Sequence, residues 1–438
     1  MTVGRKSRLD LGEYLFVSTG SVRYMSIRLK TFSGVVAAFA IALVAPLAVV
    51  APAEAATSNP YGVGSQSLAR PASGGEYIYV ANNGTDQYKM GPDWYRQRVS
   101  EFCLEKSPRP YDDLCKAPDA GHPLHTIKAA VRLAGPGDVI VVRGGTYSEA
   151  VGYGAHKGTS SKRITLQAAV GETVTIKGTL ILHSPDYWTV RGIQFQYYHP
   201  IQKSGQSVVL IAGGTNWRFE NNKISGSTGV ANMIVRTATV SSKASTAQKK
   251  AAAPRNFNIY GNCIIDNRGD DKRGTDHNLY IMSSIYSVNG TIERNFMAGA
   301  PRGANIKASA SSASKGNDSP RNLKIQYNTL LQGASGVTIG LKARQVNLSK
   351  NIIALPLQQQ KYDAALKTYS LAAPTANSMK DSYINGYTRV IVEKYKTTKH
   401  VYLTRNVKST FSYTGSISTC SVKPATAGVS AKYGQFAN

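Results

Sequence analysis

Two short stretches of the chain carry side chains that could transfer protons. The stretch TDHNLYIM places His277, Asn278 and Tyr280 within four positions, and RGANIKAS carries Lys307. Histidine, tyrosine and lysine act as general acids or bases when their surroundings adjust their pKa. Both stretches alternate polar and apolar residues, which is typical of a β-strand with one buried face. The chemistry therefore depends on which face of the strand each side chain occupies.

The apolar residues assign the two faces. Because successive side chains of a strand point to opposite sides, Leu279 and Ile281 are predicted to face the interior. Aligning Ile281 with Ile306 and Ile339 stacks three neighbouring segments. The outward residues predicted in this way, with those of the preceding segment VANMIVRT, are Asn232, Arg236, Asn278, Tyr280, Met282, Asn305, Lys307, Thr338, Gly340 and Lys342. Neighbouring strands lie about 4.8 Å apart, which would bring these side chains within reach of one ligand.

The scaffold beneath these segments is indicated by a recurring asparagine. An apolar residue, two variable residues, an asparagine and further apolar residues recur at Asn222, Asn262, Asn295, Asn328, Asn351 and Asn406. The spacings are 40, 33, 33, 23 and 55 residues, and the shortest suits one turn of a parallel β-helix. Stacked turns would let the amides hydrogen-bond in a ladder. Since each turn buries its apolar face only against its neighbours, a run of turns is required.

The pattern predicts one all-β domain, a single parallel β-helix over residues 126–410. The segment HTIKAAVRLAGPGD predicts a short N-terminal helix that caps the open end of the coil. Residues 56–125 would hold a first strand and a cysteine-bearing loop, and residues 411–438 a tail or cap. Inserted loops are predicted at 241–256, 308–322 and 357–382, the first two mobile and the third with a short helix.

The N-terminal residues have the pattern of an export signal. Basic residues precede the apolar run VVAAFAIALVAPLAVV, and the small-residue site Ala53-Glu54-Ala55 follows it. A signal peptide over residues 1–55 is predicted, with Met25 as an alternative start. The apolar run is shorter than the roughly 20 residues that a membrane span needs. We therefore expect a secreted, extracellular protein without a membrane span after cleavage.

The chain is strongly basic, with a formal net charge of +27. Removing residues 1–55 takes away six Lys or Arg and three Asp or Glu, which leaves +24. Such a charge attracts polyanions in a salt-dependent way. For an exported chain the expected partner is an acidic polysaccharide or anionic cell wall rather than nucleic acid, and general solubility is the alternative explanation. The protein is expected to be a monomer.

The four cysteines permit disulfide bonds in an exported chain. Cys103 and Cys115 flank a loop rich in Pro and Asp and are predicted to pair, while Cys263 and Cys420 would form a second bridge or stay free. The sequence has no CxxC, HExxH, GxSxG or P-loop pattern. The most specific signals for zinc, serine-hydrolase and nucleotide chemistry are therefore missing.

The opening of the predicted coil resembles a known superfamily. HTIKAAVRLAGPGDVIVVRGGTYSEAV, GTSSKRITLQAAVGETVTIKG and YWTVRGIQF are similar to the start of right-handed parallel β-helix proteins of the pectate-lyase-like superfamily. The resemblance covers about residues 76–200, and the asparagine repeat extends it to about 407. It implies a right-handed coil. It also implies a polysaccharide lyase acting on pectate, alginate or chondroitin-type chains, although the superfamily also includes hydrolases, epimerases and non-catalytic surface proteins.

The resemblance suggests roles for the outward residues. A lyase neutralises the substrate carboxylate, removes the C5 proton and protonates the departing O4 oxygen. The preferred assignment is Lys307 as base, Tyr280 as acid, and Asn278 with Arg236 on the carboxylate, with His277 as an alternative base. The other predicted substrate contacts are Asn305, Lys342 and Arg302. The alternatives are a solvated lysine, a histidine that closes a turn through the backbone, and a tyrosine that covers the flank.

The loop DNRGDDKRGTD supplies the oxygen ligands that calcium prefers. Its carboxylates are Asp266, Asp270, Asp271 and Asp276, and several lyases of the superfamily use calcium held by such aspartates. A calcium site at Asp270 and Asp271 is one hypothesis. Basic residues within the loop offset its charge, and a run of Asp and Gly is also ordinary loop composition.

Two other functions compete with elimination. A glycoside hydrolase on the same fold needs two or three carboxylates converging on the strand face, whereas the aspartates here cluster in one loop. A non-catalytic glycan-binding or cell-wall protein would explain the charge and the fold without any particular His, Tyr or Lys. The outward Asn, Tyr, Lys and Arg residues favour elimination.

Overall fold

The computed structural model describes residues 67–86, 120–121, 123–269, 276–310, 319–371, 375–394 and 401–437. They belong to a compact unit that spans Pro52–Asn438. The predictions on the export signal, on the Cys103–Cys115 bridge and on Asp270 and Asp271 lie outside the described residues. Within these ranges, none of the helices has the length and apolar character that crossing a bilayer requires.

Short parallel strands make up most of the regular structure. In chain order they are β1 Tyr77–Val80, β2 Val139–Val142, β3 Gly145–Val151, β4 Ile164–Ala168, β5 Val174–His183, β6 Trp188–Arg191, β7 Ile193–Gln196, β8 Val209–Ala212, β9 Arg218–Glu220, β10 Lys223–Ser225, β11 Ala231–Arg236, β12 Asn258–Tyr260, β13 Cys263–Ile265, β14 His277–Met282, β15 Val288–Glu293, β16 Phe296–Ala298, β17 Ala300–Ser309, β18 Arg321–Gln326, β19 Thr329–Leu331, β20 Gly333–Gly340, β21 Arg344–Ser349, β22 Ile352–Ala354, β23 Leu366–Tyr369, β24 Asn377–Lys380, β25 Tyr383–Ile384, β26 Ile391–Lys394, β27 Val401–Thr404, β28 Val407–Lys408, β29 Tyr413–Thr414 and β30 Lys423–Pro424. The helices are α1 Ile127–Leu133, α2 Thr246–Ala252 and α3 Val429–Lys432.

The strands stack into three parallel ladders. Each complete turn of the coil contributes one strand to each ladder. The first ladder is an eleven-stranded sheet: β1, β2, β4, β6, β9, β12, β15, β18, β21, β24 and β27. The other two belong to a seventeen-stranded sheet and share the long strand β5. The second ladder runs β3, β5, β7, β10, β13, β16, β19, β22, β25, β28, and the third runs β5, β8, β11, β14, β17, β20, β23, β26. The predicted right-handed parallel β-helix is confirmed.

The predicted asparagine ladder is present. From Asn222 through Asn262, Asn295 and Asn328 to Asn351, each Nδ2 donates to the next Oδ1 at 2.9–3.2 Å, and all five side chains are fully buried. The residue before each has left-handed backbone geometry, with φ between 54° and 64°. This conformation makes the sharp bend between the first and second ladders, and the amides satisfy the backbone groups that the bend leaves unpaired.

Two of the predicted insertions contain regular structure. The segment 241–256 holds α2, which begins at a capping box formed by Ser245 and Gln248. The segment 357–382 has no helix among its described residues and instead contributes β23 and β24 to the coil. The long interval between Asn351 and Asn406 therefore spans two turns, with Ser382 at the intermediate corner, where its backbone N–H donates to Asn406 Oδ1 at 3.0 Å.

The N-terminal end of the coil and one of its flanks are covered. The predicted helix α1 is present, with Thr126 as N-cap, and Glu149 accepts hydrogen bonds from the first N–H groups of the helix. Residues 411–437 pack on the outward face of the second ladder, where Cys420 is bonded to Cys263 and where Val422 and Val429 share a buried cluster with Phe296. The question left open for Cys263 and Cys420 is thus resolved as a disulfide.

Candidate active site

The third ladder places Tyr280 of β14 directly opposite Lys307 of β17. The outward column continues from Ile234 through these two residues to Thr338 and Lys367. The register observed between β14 and β17 differs by two residues from the predicted one, because Ile281 pairs with Ala308 rather than with Ile306. A shift of two keeps every side chain on its face, and the hydrophobic pattern therefore does not detect it.

Lys307 is half-buried, and its ammonium group lies against an aromatic ring. Lys307 Nζ is 4.5 Å from the centroid of the Tyr280 ring, a cation–π contact. In the part of the chain that the structure describes, no carboxylate forms an ion pair with it. Burial, followed by the charge of Lys367, lowers the pKa of Lys307 from 10.5 to about 8. About a tenth of the amine is therefore neutral at pH 7, and about half at pH 8.

The Tyr280 ring contacts the Lys307 ammonium group, but the Tyr280 hydroxyl is already hydrogen-bonded to the backbone. The ring belongs to a small apolar cluster with Ala231 and Ile234. Its hydroxyl donates to the carbonyl of Ala310 at 2.7 Å, and only 7% of the residue is exposed. Burial, with a contribution from Tyr369, raises the pKa of Tyr280. The hydroxyl predicted to protonate a leaving group is thus held by the backbone.

His277 ties β14 to β17. Its Nδ1 accepts a hydrogen bond from the backbone N–H of Ala304 at 2.9 Å, and its ring meets the Tyr280 ring edge-on at 5.6 Å. Burial, followed by the charge of Lys307, lowers the pKa of His277 well below its ordinary value. The imidazole is therefore neutral, with its proton on Nε2, which has no hydrogen-bond partner among the described residues. The backbone contact is the one expected of a turn-closing histidine.

Asn278 and Asn305 do not face outward, and this part of the prediction is wrong. Together with Asn232 they form a second buried amide ladder: Asn232 Nδ2 donates to Asn278 Oδ1 at 2.9 Å, and Asn278 Nδ2 donates to Asn305 Oδ1 at 2.8 Å. All three have no exposed surface. They stand where the strands of the third ladder begin, and each donates to a backbone carbonyl at the same corner of the following turn, that of Ile265, Ala298 or Leu331. Neither amide can contact a substrate.

Arg302 is engaged by the chain itself. Its Nε donates to Asp276 Oδ2 at 2.9 Å, and Asp276 is 1% exposed. Asp266 is paired with Arg268 at 3.1 Å. Among the described residues, no group of three His, Cys, Asp or Glu side chains could hold a metal ion. The Arg302–Asp276 pair anchors the start of β17 beside His277, and the calcium hypothesis for Asp270 stays a prediction.

The remaining predicted cations lie at the margins of the site. Arg236 is half-buried on the outward face and pairs with Met282, two strands and about 10 Å before Ser309 in its column. Lys342 is exposed and follows β20 in a left-handed turn with φ of 66°. Arg236 is therefore placed to reach a neighbouring sugar unit, whereas Lys342 lies beyond the strand.

Several residues of the candidate site were not predicted from the sequence. Lys367 stands in the column of Lys307, and its Nζ is 3.1 Å from Asp363 Oδ1. Asp363 is 8% exposed and also accepts from the backbone of Gln360 at 2.8 Å. Both lie in the segment taken for an inserted loop. The alternation in LKTY was the one available signal, and the missing asparagine concealed it.

Comparisons with known proteins concern the fold. No family model and no curated protein matches the chain. It is similar to the solved structure of the pectate lyase Pel9A (10% identity, TM-score 0.45, covering 76% of this chain and 81% of that one). It is also similar to an alginate lyase from Paenibacillus sp. str. FPU-7 (13%, 0.38, 65% and 96%) and to the GH136 lacto-N-biosidase from Eubacterium ramulus (12%, 0.49, 76% and 67%).

The strand topology defines the class of the protein. It is a right-handed parallel β-helix. The fold does not determine a reaction, which depends on the side chains that the fold positions.

Proposed function

We propose that the protein is a secreted polysaccharide lyase that cleaves a uronate-containing glycan by β-elimination, with Lys307 as the base that removes the C5 proton. The observation that carries this proposal is the Lys307 amine, which lies on the outward face with no carboxylate partner among the described residues and with a pKa lowered to about 8. A base is most effective when its pKa lies near the working pH. Tyr280 is assigned to positioning, because its ring carries the amine and its hydroxyl is held by Ala310.

Cations on the same face support an acidic substrate. Lys367 lies two strands from Lys307 in the same column, and Asp363 holds its ammonium group in place. We assign Lys367 and Arg236 to the uronate carboxylates, in place of the buried Asn278. Charge neutralisation at the carboxylate makes the C5 proton more acidic. The net charge of +27 would concentrate a polyanion near this face.

The positions of the carboxylates near the column of Lys307 favour elimination over hydrolysis. The outward residues at the site, from Ile234 to Lys367, include no carboxylate, and the nearby Asp363 and Asp276 are each ion-paired. An inverting or retaining hydrolase needs two carboxyl groups flanking the scissile bond.

The test incubates the secreted protein with pectate, alginate and chondroitin-type chains while ultraviolet absorbance and reducing ends are recorded. Elimination creates both the unsaturated uronate chromophore and new reducing ends, hydrolysis creates only the latter, and a non-catalytic binder creates neither. Lys307→Ala should lower the rate roughly 100-fold to 10,000-fold. Lys324→Ala is the matched control, because Lys324 is an exposed lysine on the first ladder. Equal loss in both variants, or reducing ends without the chromophore, would overturn the proposal.

A further inference from the structure

The hydroxyl of Tyr369 lies on the same face as Lys307, one step further along the strands. Ser309 follows Lys307 by two residues on β17, and Tyr369 follows Lys367 by two residues on β23. The two hydroxyl oxygens are 2.8 Å apart, although β20 lies between their strands. Strands two steps apart are separated by about 10 Å, and the Tyr369 side chain must therefore lie across β20 to make this contact.

Gly340 provides the space in which the ring lies. Gly340 pairs with Tyr369, and a Cβ atom at this position would stand 2.2 Å from Tyr369 Cζ and 2.7 Å from its hydroxyl oxygen. The backbone of Gly340 does not have the positive φ that requires glycine. Glycine in a strand often marks a place where another group approaches the backbone closely, and the Tyr369 ring is that group at Gly340, the last residue of β20.

Tyr369 is better placed to release a proton than the other candidate donors. The hydroxyl of Tyr280 donates to the backbone carbonyl of Ala310, and Nε2 of His277 is buried. Tyr369 is half-buried and its partner is the fully buried hydroxyl of Ser309. A serine hydroxyl both donates and accepts, and it can therefore donate to the phenolate that remains after Tyr369 has lost its proton. Burial raises the pKa of Tyr369, which keeps it protonated before the reaction.

We propose that Tyr369 is the general acid of the elimination, positioned by Ser309 and by the missing side chain of Gly340; this assignment rests on the proposed function. The C5 proton passes to the neutral amine of Lys307, and the electron pair of the C5–H bond forms the C4=C5 double bond. The C4–O4 bond breaks, and O4 takes the phenolic proton of Tyr369. The Lys307 ammonium group then loses its extra proton to water, and the Tyr369 phenolate regains one from water.

The test compares two leaving groups. Tyr369→Phe should lower the elimination rate roughly 100-fold to 10,000-fold on the natural polymer, where O4 leaves as an alcohol. On a synthetic uronoside that carries a nitrophenyl group on O4, the variant should keep a rate within a few fold of the parent, because nitrophenolate departs without a proton. Lys307→Ala should lose activity on both substrates, since both need the base. Tyr402→Phe, a change at an exposed tyrosine of the first ladder, should behave as the parent on both.

A second variant tests the geometry without removing the hydroxyl. Gly340→Ala should displace the Tyr369 ring and reproduce the selective loss on the natural polymer, with an unchanged circular dichroism spectrum. The assignment is overturned if Tyr369→Phe retains parental activity on the polymer, or if it loses activity equally on both substrates. If the parent protein forms no unsaturated product from either substrate, the proposed function itself fails and the assignment fails with it.

Discussion

Replacing Lys307 by methionine is expected to stabilise the protein at neutral pH. Burial and the charge of Lys367 lower the pKa of Lys307 from 10.5 to about 8. One pKa unit corresponds to about 1.4 kcal/mol, and keeping this lysine protonated therefore costs the folded protein at most on the order of 3 kcal/mol. Solvent screening of the half-buried side chain reduces the value. Methionine fills a similar volume without a charge and removes the cost.

The pH dependence of this gain has a defined sign. Below about pH 8 the lysine is protonated in both the folded and the unfolded states, and the full cost applies. As the pH rises from about 8 to about 10.5, the folded protein has lost the proton while the unfolded chain still holds it, and the cost shrinks. The stability advantage of Lys307→Met should therefore be largest below about pH 8 and fall to a constant above about pH 10.5.

The measurement is the urea midpoint of unfolding for parent and variant, followed by circular dichroism from about pH 6 to about pH 10.5. All other titrating groups are common to both proteins, and the difference between them isolates Lys307. Lys324→Met is the matched control and should differ little from the parent at every pH. A Lys307→Met variant no more stable than the parent at neutral pH, or a difference independent of pH, would refute the reasoning.

Three further predictions concern rate, binding and the scaffold. The kcat/KM of the parent on a uronate polymer should rise with pH to a midpoint near about 8, where Lys307 becomes neutral, and Lys367→Met should move the midpoint upward because it removes a neighbouring positive charge; an unchanged midpoint in a pH–rate profile would contradict this. Retention on an immobilised uronate polymer should fall steeply with added salt, and equal retention on a neutral polymer would count against an acidic substrate. Asn328→Ala should lower the free energy of unfolding by more than about 3 kcal/mol, because it unpairs several buried backbone and amide groups, and a urea titration should show a smaller loss for Asn406→Ala at the part-buried end of the ladder.

The sequence sufficed for the architecture because the coil has local signatures. Each corner between the first and second ladders needs a left-handed residue followed by an amide, and this requirement produced the repeat from Asn222 to Asn351. The asparagine repeat did not reveal the corner at Ser382, because a serine stands there in place of the asparagine. The turn that contains Lys367 and Asp363 was then taken for an insertion, and an ion pair of the candidate site was missed with it.

The alternation of polar and apolar residues did not predict which polar side chains are buried. Asn278 and Lys307 both occupy positions that alternate with inward apolar residues, but Asn278 stands at a corner of the coil and Lys307 in the middle of a strand. At a corner, the backbone carbonyls of the following turn need donors, and a short amide can supply them. In mid-strand the neighbours already pair these carbonyls, and an outward side chain remains available for a ligand.

The contrast between Lys307 and Lys367 argues against a purely solvated role for Lys307. Both stand in one outward column, two strands apart, but among the residues that the structure describes only Lys367 has a carboxylate partner, at 3.1 Å. A lysine on a strand usually extends its ammonium group into water, whereas that of Lys307 lies over the Tyr280 ring at a cost in stability. A folded chain that needed only surface charge would gain by exposing this group. The placement is explained if the column must hold one amine that loses its proton easily beside a second cation that Asp363 holds in place, which is the pair that removing a proton next to a carboxylate requires.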